Sequence, residues 1–344
     1  MLVRYLTFLY LKFFLIILIS FIIFFVGLDY IQNFKSLPSS ANLQLLYIVY
    51  KSFYAADILL PISTIFALIA TKIYLIRSNE LVAIYSIGYD KKRVIKPFFF
   101  TSLFITAFFI FLHTTSFSYA NESAKNIKKH SIITDATSDL FLKYYNYYIY
   151  FKKLYPFQKK AEDIRIFKTQ DKKLKELIKA KFAYFENNSW SIKNAKVVKI
   201  DKDNILISSK DELKLLEGFR PKILDLVYEG KVNFTILDAI YAIKLLKEQD
   251  LNIQKIKAIL YAQIVYPFFA PLLMVIIFYF VPITQRVFSL TLFSFSAIIF
   301  SLVIWSLLFS LVRLSFTNIL SPEITTITPV TLLALFAYLF YKKF

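Results

Sequence analysis

The stretch RSNELVAIYSIGYDKKRVIKP occupies residues 77–97 and joins two strongly apolar runs of the chain. ISTIFALIATKIYLI precedes it at 62–76, and FFFTSLFITAFFIFL follows it at 98–112. A plain connector between two such runs needs only a few polar residues. This one carries one glutamate, Glu80, among apolar and basic residues, and its pattern predicts a structured element between two membrane-length helices.

The connector contains the start and stop signals of a short helix. Ser78 is a favourable N-cap residue, and Glu80 falls in the first turn, where the helix dipole favours a negative charge. Gly88 suits the position just beyond the helix end, and Asp90 can cap the helix that follows. An apolar stripe at i, i+3 and i+4 comprises Leu81, Ile84 and Tyr85. The stripe packs either on the membrane bundle or on a partner, so the element is either a rigid elbow or a docking surface.

The composition of the chain is that of a membrane protein. Its 344 residues are 58% hydrophobic and 19% aromatic, with a mean hydropathy of +0.56, above the range of soluble domains. A helix needs roughly 20 residues to cross a hydrocarbon core about 30 Å thick. The first apolar run is too long, and lacks the small-residue cleavage site, for a removable signal peptide. Six runs are long enough or nearly so: 6–28, 55–76, 95–115, 257–281, 288–312 and 324–341.

Basic residues near the span ends predict the orientation. On a six-span chain they fall on one side: Arg4, Lys12, Arg77, Lys91, Lys92, Arg93, Lys96, Arg286, Lys342 and Lys343. The positive-inside rule makes that side cytoplasmic, so both termini are expected inside and the long central segment outside. That segment is itself basic, with 27 Lys and Arg against 18 Asp and Glu between residues 117 and 255. Long segments nevertheless translocate largely regardless of charge.

The central segment predicts a separate β domain. Apolar and polar residues alternate in NYYIYFKK, EDIRIFKTQ, KFAYFENN, SWSIKNAKVVKI and NILISS. Such strands form a curved sheet, a sandwich or a jelly roll with one dry face. Residues 233–249 change to helical spacing, and Thr235 with Asp238 is similar to a capping box. The expected fold is an α-helical membrane protein of six spans with an inserted all-β, jellyroll-like domain. Its predicted divisions are 1–116, 117–255 and 256–344.

Catalytic and cofactor motifs are absent from the sequence. It has no GxxxxGK[ST], HExxH, GxSxG or GxGxxG pattern, and only four glycines with which to build a phosphate-binding loop. Zero cysteines exclude disulfides, thiolate metal sites and cysteine nucleophiles. His113 and His130 have no carboxylate neighbours in a recognisable arrangement. We expect no metal, no cofactor, no catalysis and no nucleic-acid partner.

Charged residues inside the spans are informative because their burial is unfavourable by about 2.5 kcal/mol or more at mid-membrane. Lys12 and Lys72 are near enough to the cytoplasmic surface to snorkel. Asp57 lies near the outer end of the second span, four residues before Pro61, where it either faces a water-filled cavity or caps the helix. Lys35 follows the first span outside, where it can contact an anionic headgroup.

The connector motif RxxEL, followed by Ala, Gly, a basic turn and Pro, resembles the hallmark connector of the lipopolysaccharide export permeases, the LptF/LptG (YjgP/YjgQ) family. The similarity extends through RYL at 4–6, LPIS at 60–63, the W-x-I segment at Trp190 and SPEITTITP at 321–329. The short C-terminus and the SPEITTITP region are more similar to LptG than to LptF.

The resemblance implies a heterodimer of LptF and LptG that is driven by two copies of a cytosolic ATPase, LptB. Such a permease subunit of an ABC-type exporter lies in the bacterial inner membrane and takes lipopolysaccharide from its outer leaflet. It passes the lipid through β-jellyroll domains to LptC and a periplasmic bridge. ATP hydrolysis then belongs to another subunit, which agrees with the missing nucleotide motifs.

Functional residues carried over from the family form two groups. The coupling helix corresponds to 79–87, with Glu80 meeting a basic residue of the ATPase. The first and fifth spans would line a lateral gate and a lipid cavity. Lys35 matches a basic family position, whereas Asp29 stands where LptG often has a lysine and Lys51 only neighbours another lysine position. The coupling set comprises Glu80, Leu81, Ile84, Tyr85 and Gly88, and the lipid-binding set comprises Lys35, Lys51 and Phe309.

Two other functions stay open on the residues alone. One is a non-transporting, membrane-anchored assembly or signalling protein whose external domain binds partners. The other is a membrane enzyme that acts on lipid, a reading weakened by the missing catalytic motifs.

Overall fold

The structure is a computed structural model that describes residues 1–130, 137–156, 158–170, 173–201, 204–221, 233–248, 252–282 and 289–344. The chain divides into two compact units. The first contains Met1–Ala124, Thr235–Ala239 and Ile253–Phe344, and the second contains Lys125–Phe234 and Ile240–Asn252. Arg286 and the side chain of His130 lie outside what is described.

Helices occupy both ends of the chain and one short segment after the strands. In chain order they are α1 (Leu2–Asn33), α2 (Ala41–Arg77), α3 (Glu80–Ser86), α4 (Lys91–Leu112), α5 (Ala120–His130), α6 (Ile236–Lys247), α7 (Gln254–Ile264), α8 (Phe269–Phe280), α9 (Leu290–Phe316) and α10 (Thr328–Lys342). A 3-10 turn, Tyr266–Phe268, joins α7 to α8, and a π-helical turn, Glu323–Ile327, leads into α10.

Six helical segments among the described residues are long and apolar enough to cross a membrane, as the sequence predicts. They are Leu2–Ser36, Ala41–Arg77, Lys91–Leu112, Gln254–Phe280, Leu290–Phe316 and Glu323–Lys342. Successive spans run in opposite directions, so the short helix α3 marks one end of the bundle. We call this the connector end. Lys35 lies at the opposite end, between α1 and α2.

The second span is the centre of the bundle. It packs against α1, α8 and α9, and most of its side chains from Leu60 to Ile76 are buried. Pro61 lies inside this helix, where it removes one backbone donor. Nearby hydroxyls satisfy carbonyls of the same turn, because Ser63 donates to Leu59 and Thr64 donates to Pro61, each at 2.7 Å.

Two features of α2 differ from the sequence-based expectation. The helix begins at Ala41, although the apolar run that predicts it starts near residue 55. Its added turns contain Lys51, which is tolerated there because a carboxylate of α1 pairs with it. Lys72 does not snorkel, since its side chain is buried and its Nζ lies 3.8 Å from the centre of the Phe278 ring in α8. The bundle therefore holds this amine in its interior.

The second unit contains one six-stranded antiparallel sheet in which each described strand pairs with its sequence neighbour. The all-β insert is thus confirmed, and its strands follow an up-and-down order. The sequence patterns missed the first strand. The strands are β1 (Thr137–Tyr144), β2 (Tyr147–Tyr155), β3 (Lys160–Gln170), β4 (Lys173–Glu186), β5 (Ser189–Asp201) and β6 (Asn204–Leu215).

A buried row of aliphatic side chains crosses the sheet. The register places one residue from each of five strands side by side: Leu142, Ile149, Ile166, Ile178 and Val197. Each of these side chains is almost fully buried. The period-2 alternation in the sequence therefore marks one apolar face, whose burial stabilises the domain by removing branched side chains from water.

Trp190 anchors the same apolar interior. Its side chain is fully buried, and its indole N–H donates to the carbonyl of Phe219 at 2.7 Å. Its ring contacts those of Phe151 and Phe185, with centroids 5.3 and 5.7 Å away. The residue is therefore part of the core of the second unit.

The helix that follows the strands has the predicted cap. The backbone N–H of Asp238 donates to Thr235 Oγ1 at 3.1 Å, and that hydroxyl donates to the Asp238 carboxylate at 2.8 Å. Tyr119 also donates to this carboxylate, at 2.5 Å. Burial, together with the charge of Asp238, raises the pKa of the Tyr119 hydroxyl. The hydroxyl therefore stays protonated and remains a donor across the physiological pH range.

We expect Trp190→Ala to destabilise the sheet by about 3–5 kcal/mol, because it removes a large buried side chain and leaves the Phe219 carbonyl unsatisfied. Denaturant unfolding of the full chain in detergent, followed by limited proteolysis of the strand region, measures this loss. Phe182→Ala is the matched control, since that ring is 43% exposed. Equal sensitivity of the two variants would contradict the anchoring role of Trp190.

Candidate functional site

The connector forms the predicted short helix, and its end is well defined. The backbone N–H of Gly88 donates to the Tyr85 carbonyl at 3.0 Å, and that of Tyr89 donates to the Ile84 carbonyl at 3.4 Å. This pair of bonds is a Schellman motif. Gly88 has φ +93°, a conformation that residues with a Cβ adopt at a cost. The prediction of a glycine stop is confirmed.

The beginning of α3 differs from the prediction. Asn79, with φ +59°, is the N-cap, and Ser78 instead closes the preceding helix by donating its hydroxyl to the Tyr74 carbonyl at 3.0 Å. The chain must reverse direction between α2 and α3, which requires a left-handed residue, and asparagine tolerates that conformation better than serine. At the other side, Asp90 caps α4 as predicted, accepting from the backbone N–H of Arg93 at 2.9 Å.

The short helix has one face against the bundle and one face outward. Leu81 and Ile84 are buried in the core of the first unit, and Tyr85 is half-buried beside them. Burial and the nearby charge of Asp90 raise the pKa of the Tyr85 hydroxyl. Of the two alternatives left open by the sequence, the stripe therefore packs on the bundle. Val82 and Ile87, which are 40% and 76% exposed, point away from it.

Glu80 is held by the first span. Its carboxylate accepts a hydrogen bond of 2.6 Å from the hydroxyl of Tyr5, near the start of α1. The carboxylate lies at the N-terminus of α3, and the residue remains partly exposed. A charged hydrogen bond of this length fixes the direction of the carboxylate without enclosing it. The acid is thus positioned at the connector end where another protein can reach it.

The opposite end of the bundle contains paired charges. Lys51 in α2 lies 2.9 Å from the carboxylate of Asp29 in α1, and both side chains are mostly buried. Tyr47 donates a hydrogen bond to the same carboxylate, and the Lys51 ammonium lies 5.4 Å from the centre of the Tyr54 ring. The pair therefore joins the two helices at this end of the bundle and neutralises its own charge.

A second polar pair corrects the prediction for His113. Its Nε2 lies 3.1 Å from the carboxylate of Asp57, and its Nδ1 lies 3.1 Å from the hydroxyl of Ser118. No local sequence pattern indicates this carboxylate, because the two residues lie 56 positions apart along the chain. The pair links α2 to the end of α4, and Asp57 serves as a partner for a buried imidazole.

The fifth span carries an aromatic and basic surface near the same end. Phe309 stacks on Trp305 with ring centroids 5.8 Å apart, and the guanidinium of Arg313 lies 4.8 Å from the Phe309 ring. Tyr266 lies beside Trp305, yet neither its buried hydroxyl nor the indole N–H makes a well-formed hydrogen bond within the described residues. Lys35 is exposed on the turn after α1. The sequence predicts that this end faces outward, so we call Lys35, Phe309 and Arg313 the outer-end surface.

The candidate residues at the two ends of the bundle are better suited to binding a partner or a lipid than to acid–base chemistry. Within the described ranges, no three His, Cys, Asp or Glu side chains come together as a metal site requires. The functional candidates are instead a positioned acid at the connector end and exposed cations with aromatic neighbours at the opposite end. Sequence patterns missed the Asp29–Lys51 and Asp57–His113 pairs and the place of Arg313, although charged residues in apolar runs were the available signal.

Comparison with known protein families identifies the family of the chain. A family model described as "Lipopolysaccharide export system permease LptF/LptG" matches residues 4–343. Comparison with curated proteins found no match.

We expect the Asp29–Lys51 pair to behave as a coupled unit. Lys51→Met leaves a largely buried carboxylate without its cation and should destabilise the chain by about 2–3 kcal/mol. Combining it with Asp29→Asn should recover at least half of that loss, because the remaining amide can still accept from Tyr47. Thermal unfolding of the four chains of this double-mutant cycle in detergent measures the coupling. Additive losses would show that the two side chains act independently.

Proposed function

We propose that this chain, which belongs to the LptF/LptG family of lipopolysaccharide export permeases, is the membrane subunit of an ABC-type exporter that moves lipopolysaccharide out of the inner membrane. Family membership makes it a multi-pass inner-membrane protein of a transport complex. The finer assignments are ours: a separate ATPase of the LptB type supplies the energy, a second permease subunit completes the pathway, and an LptC-type protein receives the lipid.

The observation that carries the proposal is that α3 has one face buried in the bundle and one face exposed. Leu81 and Ile84 attach the helix to the bundle, while Glu80, Val82 and Ile87 remain available on its exposed side. A helix attached in this way moves with the spans around it. An ATPase bound to the exposed side would therefore transmit the movements of its ATP cycle to the bundle through Leu81 and Ile84. Gly88 preserves the turn that leads into α4.

The basic residues support a cytoplasmic connector end. Arg77 and Arg93 lie there, as do the termini of the first and last spans with Arg4 and Lys342. The positive-inside rule then places both termini inside and the sheet in the periplasm. This orientation puts α3 on the side where an ATPase would find ATP, and the outer-end surface in the leaflet from which lipopolysaccharide is exported.

The outer-end surface suits a phosphorylated lipid. Lys35 and Arg313 are exposed cations, and Phe309 offers an apolar ring beside one of them. Cations at headgroup depth attract phosphate groups, whereas aromatic rings at that depth pack against acyl chains. Lys51 has a different role in our proposal, because its ammonium is already paired with Asp29. We therefore assign it to shaping the surface between α1 and α2 and assign phosphate binding to Lys35 and Arg313.

We expect Glu80→Gln and Ile87→Asp to uncouple the chain from its ATPase. Each removes or reverses a feature of the exposed side of α3, and loss of one interfacial charge partner weakens binding by about tenfold or more. The measurement is co-purification of the ATPase and its hydrolysis rate in the reconstituted complex. Thermal unfolding of the isolated chain should change little, because neither side chain is part of the core.

Leu81→Ala serves as the comparison variant, and Lys343→Asp as the charge control. Leu81→Ala should destabilise the chain by about 3 kcal/mol, because it leaves a cavity in the bundle. Lys343→Asp changes an exposed charge at the same end without touching α3. Normal ATPase binding and hydrolysis in both Glu80→Gln and Ile87→Asp would refute the coupling role of this helix.

We expect photo-crosslinkers at Lys35 and Phe309 to capture lipopolysaccharide. The matched control is Leu332, which is exposed on α10 away from these two positions in the chain. Capture should require lipopolysaccharide in the membrane but no ATP, since the surface lies in the leaflet that holds the lipid. In the same assay, Arg313→Gln should lower capture at Phe309 about fivefold, the factor expected for one cation near an anionic group. Equal labelling at Leu332 would contradict the assignment.

A further inference from the structure

A second apolar surface lies at the connector end, between α1 and α4. It is a groove of about 620 Å³. Val3, Thr7 and Leu11 supply one wall at helical spacing, and Phe100 and Phe104 supply the other. Both phenylalanines are more than 60% exposed. The groove is open on the surface of the first unit that membrane lipid surrounds.

The length of the groove fits one leaflet of a membrane. Its α4 wall runs from Arg93 to Phe104, twelve residues whose eleven steps rise about 16 Å at 1.5 Å per step. A hydrocarbon core is about 30 Å thick, so the groove extends through about half of it. Its connector end therefore lies at the headgroup level and its other end near the middle of the membrane.

Charge distinguishes the connector end of the groove. Arg93 and Lys96 line it there and are exposed, and none of the groove's lining residues is acidic. Asp90 is close in sequence, but its carboxylate accepts from the backbone N–H of Arg93 in capping α4. Tyr89 lies beside the two cations, at the depth where interfacial aromatic residues gather. Cations above an apolar groove match an anionic headgroup above an acyl chain.

A smaller groove lies on the other side of α4. It has a volume of about 290 Å³ and is formed with α8 and α10, by residues such as Leu272 and Tyr338. Lys96 and Phe100 border both grooves. Lys96 and Phe100 thus lie where the two apolar grooves adjoin. A lipid with two acyl chains and one phosphate has this shape.

We propose that these grooves bind an anionic phospholipid of the leaflet at the connector end, with its phosphate on Arg93 and Lys96 and its acyl chains on either side of Phe100. In the proposed orientation this is the cytoplasmic leaflet, opposite to the one that supplies the exported lipid. The bound lipid lies next to the turn between α3 and α4 and stabilises it. The site requires membrane insertion only and does not depend on the coupling role of α3.

The test uses the full chain in nanodiscs of phosphatidylcholine with a minor fraction of phosphatidylglycerol, followed by native mass spectrometry of retained lipid. Each cation near an anionic group contributes roughly a fivefold factor, so Arg93→Gln with Lys96→Gln should lower phosphatidylglycerol retention roughly twenty-five-fold. The matched control, Arg77→Gln with Lys342→Gln, removes two exposed cations at the same end and should retain the lipid. Equal losses in both pairs would overturn the site.

Acyl-chain placement needs a second measurement. A tryptophan introduced as Phe104→Trp should be quenched more strongly by brominated phosphatidylglycerol than by brominated phosphatidylcholine, and Thr7→Phe, which fills the groove, should remove the difference. Identical quenching by the two lipids would refute specific binding. Crosslinks from position 104 to another protein's helix, with lipid retention unaffected by the charge variants, would show that a protein occupies the groove instead.

Discussion

A hydrocarbon environment provides no water for a charge inside a helical bundle, and this constraint determines which helices of the chain meet. Asp29 pairs with Lys51, Asp57 with His113, and Lys72 lies over an aromatic ring. Each contact joins two different spans. Because an unpaired charge at such depth is unfavourable by several kcal/mol, the alternatives in which these helices are separated are disfavoured. α2 takes part in all three contacts and is accordingly the centre of the bundle.

The two ends of the bundle use their charges differently. At the outer end, the internal pairs neutralise themselves and leave Lys35 and Arg313 as exposed cations. At the connector end, Glu80 is fixed by Tyr5 but remains accessible, while Arg93 and Lys96 face the membrane surface. In the proposed function, an acid of this bundle binds a protein and its cations bind lipids. Neither interaction requires catalytic chemistry, in agreement with the family of export permeases to which the chain belongs.

Local sequence patterns predict the local structure of this chain, but they do not predict contacts between its helices. The six spans, five strands, the Asp90 cap and the Gly88 stop all follow from periodicity and capping preferences. The apolar run predicts too late a start for α2, because the first turns of this helix contain Lys51, whose partner lies in another helix. Capping preferences favour Ser78 as the N-cap of α3, but the reversal of the chain requires a left-handed residue, which is Asn79. The Asp57–His113 pair depends on packing that no local window contains.

The left-handed residues on either side of α3 have a mechanical consequence. Asn79 and Gly88 interrupt the backbone hydrogen-bond ladder, so neither neighbouring span can twist the short helix through a continuous rod. Force applied to α3 instead enters the bundle sideways, through the contacts of Leu81 and Ile84. The connector is therefore attached to the bundle through these two side chains. The transmission of force from α3 to the bundle should therefore depend less on the length of the flanking turns than on each methylene of Leu81 and Ile84.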